Sequence, residues 1–120
     1  MRKLFAAVAA AAFVVALGAP AFAGEMTVKG ELVDQMCYTK DAKNVGAGHE
    51  SCAVTCAKKG QPVALVASDG VYVVTGDLTK DNNAQLVPHM SHIVELTGDV
   101  TEKDGKKMIA ATSIKMISKS

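Results

Sequence analysis

Residues 63–75 read Val-Ala-Leu-Val-Ala-Ser-Asp-Gly-Val-Tyr-Val-Val-Thr, two apolar runs flanking Ser68-Asp69-Gly70. β-Branched residues suit a pleated, half-buried surface, and a glycine supplies the positive backbone angle of a tight turn. The stretch predicts a hairpin pairing Val63–Ala67 with Val71–Thr75, and it sets the class of the domain as mainly β.

The segments on either side extend the same pattern. In His92 to Thr101, Val94, Leu96 and Val100 alternate with Glu95, Thr97 and Asp99, which predicts a half-buried strand with a bend at Gly98. Asp104-Gly105 then turns the chain into Lys107 to Ile117, whose alternation slips once and so predicts a bulge. Upstream, Met26 to Asp34 places Val28, Gly30 and Leu32 on one face, and Gly30 marks a bulge or sharp bend of the kind that curves a sheet toward closure.

Two helical segments interrupt the strands. His49 to Lys59 has Glu50 in its first turn, Ala53 and Ala57 in its body, Lys58 and Lys59 at its negative end, and Gly60 with Pro62 to stop it. Asp81 to Val87 predicts a brief helix capped by Asp81 or Asn82 and closed by Pro88, whereas Tyr38 to Gly48 lacks apolar periodicity and reads as a solvated loop. Five strands, a short Cys-bearing helix between strands 1 and 2 and a brief helix between strands 3 and 4 match a small OB-fold-like barrel. An open β-sandwich is the rival architecture.

The N-terminus has a different character. Arg2 and Lys3 precede an almost uncharged apolar run from Leu4 to Ala19, and Ala21-Phe22-Ala23 forms a small-x-small cleavage site before Gly24. Residues 1–23 therefore read as a secretory signal peptide, with residues 24–120 as one exported domain, periplasmic or secreted. The run is too short for a spanning helix and ends in Gly18 and Pro20, so no stable membrane insertion is expected after cleavage. No cysteine follows the cleavage site directly, which removes a lipoprotein anchor.

Removing 23 of the 120 residues leaves 97, enough for one small core. Phe5, Phe13 and Phe22 all fall in the signal, leaving Tyr38 and Tyr72 as the mature aromatics. Arg2 and Lys3 are two of the 13 basic residues, so 11 face 12 acidic ones and the mature charge is −1. Single-strand binders of this architecture need basic grooves and stacking aromatics, so nucleic acid is not an expected partner.

The pattern Gly30-x-Leu32-Val33-Asp34-x-x-Cys37-Tyr38, then His49-x-x-Cys52-Ala53-x-x-Cys56-Ala57-x-x-Gly60-x-Pro62-Val63, then Gly70-x-Tyr72, covers much of the mature chain. Leu86-x-Pro88-His89 and Val94-x-Leu96-Thr97-Gly98 continue it. It resembles a group of small secreted bacterial proteins of unknown function. The resemblance implies an OB-like barrel with a Cys/His corner and carries no activity with it.

The corner is the chemical feature of the chain. His49, Cys52 and Cys56 share one helix face, and Cys37 follows the first strand. In an oxidising compartment the plain reading is a disulfide from Cys37 to one helical cysteine, bracing a noncatalytic binding or interaction module. Three cysteines cannot all pair within one chain, so that reading leaves a free thiol or an intermolecular bond. The sharper reading gathers Cys37, His49, Cys52 and Cys56 around a soft transition metal, Cu or Zn. The Cys-x-x-x-Cys spacing is similar to that of exported copper-handling proteins, although only the local spacing is shared.

Other chemistries lack their residues. Cys-x-x-x-Cys without an adjacent histidine is not a haem-attachment motif, and no Gly-rich phosphate loop predicts a nucleotide. Thiol redox chemistry would need an activated cysteine, for which Cys52 beside His49 is the candidate. Glu31, Asp34, Asp41 and Glu50 read as solvated charges, and no enzyme is expected. His89, Met90 and His92 form a second soft-ligand cluster, with Met36 before Cys37, but methionine ordinarily fills core gaps and a strand-edge histidine is ordinarily solvated.

Overall fold

The hairpin predicted at residues 63–75 forms as β2 (Val63–Ala67) and β3 (Gly70–Thr75), with Ala67 opposite Gly70. The computed structural model describes residues 21–119. Gly70 has φ +139°, and Tyr72, with its side chain 2% exposed, donates its hydroxyl to Asp69 Oδ2 at 2.8 Å. Lys107 reinforces the turn, with Nζ donating to the Asp69 carbonyl at 2.8 Å and lying 5.3 Å from the Tyr72 ring centre.

The other strands are β1 (Ala21–Asp34), β4 (Ile93–Lys103) and β5 (Lys106–Ser118). Their order is β1-β2-β3-β5-β4, and β4 pairs back onto β1, so the sheet closes in a ring. All pairings are antiparallel except β3 with β5. Residues 1–20, most of the predicted signal, lie outside the described residues, while the backbone of Ala21 and Phe22 pairs with Glu102 and Thr101.

Gly30 sits where β1 passes from one neighbour to the other: it is opposite Val94 of β4 and Ala67 of β2. An added Cβ there would collide with the Val66 carbonyl, so the position requires glycine because two strands approach closely, and no register shift falls at it. Gly98 meets the Ala110 carbonyl in the same way. Gly30→Ala is expected to cost about 1–3 kcal/mol, the usual range for overpacking, measured as a lowered urea midpoint; an unchanged midpoint would show that the strands part easily.

The slipped alternation of the last strand corresponds to a bulge. Gly98 faces Ala111 while Thr97 faces Ser113, which leaves Thr112 as the extra residue on β5. Its hydroxyl donates to the Thr97 carbonyl at 3.2 Å, and a second shift falls between Ile93 and Val94. These bulges let the long β4–β5 pair curve around a core of Leu32, Leu65, Leu86, Met90, Leu96 and Ile109, all 0% exposed.

Three expectations need correction. The brief helix over Asp81–Val87 does not form: Lys80–Asn83 is an irregular turn in which Asp81, Asn82 and Asn83 have φ of 56°, 56° and 61°. Asp and Asn tolerate left-handed backbone, and the fold uses that property instead of their capping ability. Residues 38–48 are not wholly loop, because α1 (Gln35–Lys40) continues β1 and a 3-10 turn covers Ala47–His49. His92 is not solvated at the start of β4; it is 6% exposed. The Cys-bearing helix forms as expected, as α2 (Glu50–Lys58) between β1 and β2.

Candidate metal centre

Two short helices bring the thiols together. β1 ends at Asp34, whose Oδ1 accepts the Met36 N–H at 3.1 Å and so caps α1, turning Cys37 inward one residue later. Gln35 N–H donates to the Pro62 carbonyl at 3.1 Å, tying α1 to the chain that leaves α2. Behind Cys37, its carbonyl accepts the Asp41 N–H at 3.0 Å and Asn44 Nδ2 at 2.9 Å, while Glu31 accepts the Gly46 N–H.

α2 is fixed from its inner face and its far end. Ala53 and Ala57 are buried in the core, which sets the rotation of the helix and turns Cys52 and Cys56 toward Cys37. The buried Asn83 donates Nδ2 to the carbonyls of Ala57 and Gln61 at 2.9 and 3.0 Å, and Gly60 N–H returns to the Ala57 carbonyl at 2.9 Å with φ +83°. The left-handed Asp81–Asn83 turn thus serves the site by closing the helix that carries two of its thiols.

The sulfurs of Cys37, Cys52 and Cys56 all lie within 4.8 Å of one another, and all three are free thiols. A tetrahedral zinc ion with Zn–S bonds near 2.3 Å separates its sulfurs by about 3.8 Å, a closure that side-chain rotation supplies. The predicted four-residue set is divided, however. His49 does not join the three sulfurs; its donor atom groups with those of Asp34 and Cys37, again within 4.8 Å.

Asp34 is the site residue that the sequence reading misplaced. Read as a solvated charge, it is 1% exposed. A charged residue at the end of an amphipathic strand gives no pattern signal for burial; its one legible role is the cap to Met36. The carboxylate approaches two thiols and holds them neutral. Hydrogen bonding to Asp34, then burial, then its charge push the Cys37 thiol up to about 12, and the same causes in the same order raise Cys56. The metal-free fold therefore favours the neutral Cys37 thiol, a preference present below about pH 9 and lost as pH rises toward 12.

Asp34→Asn keeps the cap acceptor and removes the charge. It is expected to lower both thiol pKa values and speed alkylation of Cys37 and Cys56 at pH 8, by roughly threefold for each unit of pKa once the weaker nucleophilicity of a less basic thiolate is counted, with Cys52 as the internal reference. Unchanged labelling rates, read by mass spectrometry of the digested protein, would show that Asp34 does not control these thiols.

The second soft-ligand cluster resolves into different roles. Met90 fills the core at 0% exposure. His92 Nε2 lies 3.5 Å from Glu50 Oε2, its carbonyl accepts the Leu32 N–H at 3.0 Å, and Ser91 N–H donates to the Leu32 carbonyl at 2.7 Å. Burial lowers the pKa of His89. Met36, next to Cys37 in the chain, is 48% exposed. Tyr38 lines a groove with Gln35, Val71, Val73, Lys106 and Lys107, whose lining includes none of the three cysteines.

Fold and site together define a five-stranded closed sheet with a three-thiol corner beside a buried carboxylate. Comparison with protein-family models, with curated proteins and with solved structures finds no match to this chain. Among the described residues, no helix is long and apolar enough to cross a membrane.

Proposed function

We propose that this is an exported, noncatalytic OB-like barrel that holds a soft transition metal, copper or zinc, through the thiolates of Cys37, Cys52 and Cys56. The observation that carries the reading is the convergence of three sulfurs from two separate helices to within 4.8 Å. A metal-held thiolate resists oxidation, and one ion there would join the end of β1, α1 and α2 into a single unit. The strand order with its one parallel pair supports the barrel assignment. Export rests on the sequence of residues 1–23 and remains part of the same proposal.

The test is metal content and free thiols on one sample, purified from the export compartment without chelator. Near-stoichiometric copper or zinc that disappears in the Cys52→Ser, Cys56→Ser double variant is the expected result. Absence of metal with a single free thiol would mean a disulfide-braced binding module and would remove the metal reading.

A further inference from the structure

Two polar atoms at the corner are buried and have no hydrogen-bond partner of good geometry among the described residues: Asp34 Oδ2 and His49 Nε2. The Cys37 and Cys56 thiols that approach Asp34 are weak donors and give Oδ2 no hydrogen bond of good geometry, so this buried carboxylate oxygen stays costly unless a cation meets it, and the unpaired ring nitrogen adds to the cost. Both atoms belong to residues of one triad, Asp34, Cys37 and His49, whose donor atoms lie within 4.8 Å of one another. The triad shares only Cys37 with the three-sulfur group.

Charge leads the same way. Three thiolates and the buried Asp34 carboxylate would together carry four negative charges, of which one divalent ion neutralises half. The donor types also differ between the halves. Three sulfurs favour a soft ion, whereas a carboxylate, an imidazole and one sulfur favour a borderline divalent ion.

The geometry points to a second cation position formed by Asp34, Cys37 and His49, taking a divalent ion of the zinc class, with the Cys37 thiolate bridging it to the ion held by Cys52 and Cys56. This deepens the three-sulfur reading and rests on it. Three protein donors leave one tetrahedral position at the second ion for water. Cys37 becomes the hinge of the centre, since each ion shares its sulfur and neither keeps a full protein set without it.

The experiment titrates the reduced, metal-free exported chain anaerobically with Zn²⁺, counts bound ions after gel filtration, and repeats the titration with ¹¹³Cd²⁺ for NMR. Wild type is expected to hold two ions and show two cadmium resonances, the more sulfur-rich one further downfield. Asp34→Asn, which preserves the α1 cap, and His49→Ala, whose side chain makes no cap bond to α2, are each expected to hold one ion and retain the downfield resonance. Circular dichroism on both variants confirms folding. A wild type that saturates at one ion overturns the second position and leaves the three-sulfur reading intact. In that case weakened binding in Asp34→Asn would make Asp34 a ligand of the single ion. A wild type that binds neither zinc nor cadmium overturns the second position, and if it also fails to take up Cu(I) in a parallel anaerobic titration the three-sulfur reading itself is overturned.

Discussion

Loading the thiol corner with zinc is expected to raise the thermal midpoint of the domain by roughly 15–30 °C. At free metal about a thousandfold above its Kd, linkage supplies about 4 kcal/mol, and each kcal/mol moves the midpoint of a domain this small by about 4–8 °C. The effect is large because of where the ion sits. α1 spans six residues and α2 nine, lengths at which an isolated helix is marginal, so their order depends on what they are tied to. Calorimetry with and without chelator checks the prediction, and the Cys52→Ser, Cys56→Ser variant should lose the shift. Binding of zinc to cysteines of the unfolded chain would reduce the gain, whereas a midpoint indifferent to zinc would mean that the thiols do not hold it in the folded state. Because Cys37 is neutral at physiological pH, loading also releases protons and strengthens as pH rises.

The second large effect belongs to the core. Leu32→Ala is expected to cost about 2–5 kcal/mol, the usual range for deleting a fully buried leucine. Leu32 is 0% exposed, and its backbone joins β1 to the 89–92 segment through the bonds with His92 and Ser91. Domains of this size commonly hold only about 5–15 kcal/mol in total, so the variant should be substantially unfolded at modest urea. Met116→Ala, at a side chain 39% exposed, serves as the comparison and should stay within about 0.5 kcal/mol of the parent. Equal costs at the two positions would contradict the placement of the core.

Local patterning reached the strands, the turn at Gly70 and the helix over Glu50–Lys58, because each is written in neighbouring residues. It also reached the bulge in β5, where a broken alternation leaves a mark; at Gly30 it expected a bulge or sharp bend, and the structure instead has two strands in close approach with no register shift. The gathering of Cys37 with Cys52 and Cys56 was legible from one helix face and one strand end. The parallel pairing of β3 with β5 was not, since nothing in Val73 or Met108 names the other as its partner. Asp34 was missed for a related reason: its burial comes from α1 and the 35–62 segment folding over the end of β1, a tertiary fact. Asp81 and Asn82 were read as caps of a brief helix, but the left-handed turn prevailed because Asn83 is needed against the end of α2.

Closure of the ring through β1 and β4 has a temporal side. Thr27 and Thr97, whose hydroxyls meet at 2.8 Å, stand 70 positions apart in the chain. Pairings of such long sequence separation make folding slow, because much of the chain must be ordered before they repay the lost freedom. The three thiols lie within residues 37–56, and thus emerge and become available long before β4 can complete the enclosure. If the chain is exported and takes up metal as proposed, the race between metal capture and oxidation is run while the sheet is still open, and kinetics decides its outcome before the finished fold has any say.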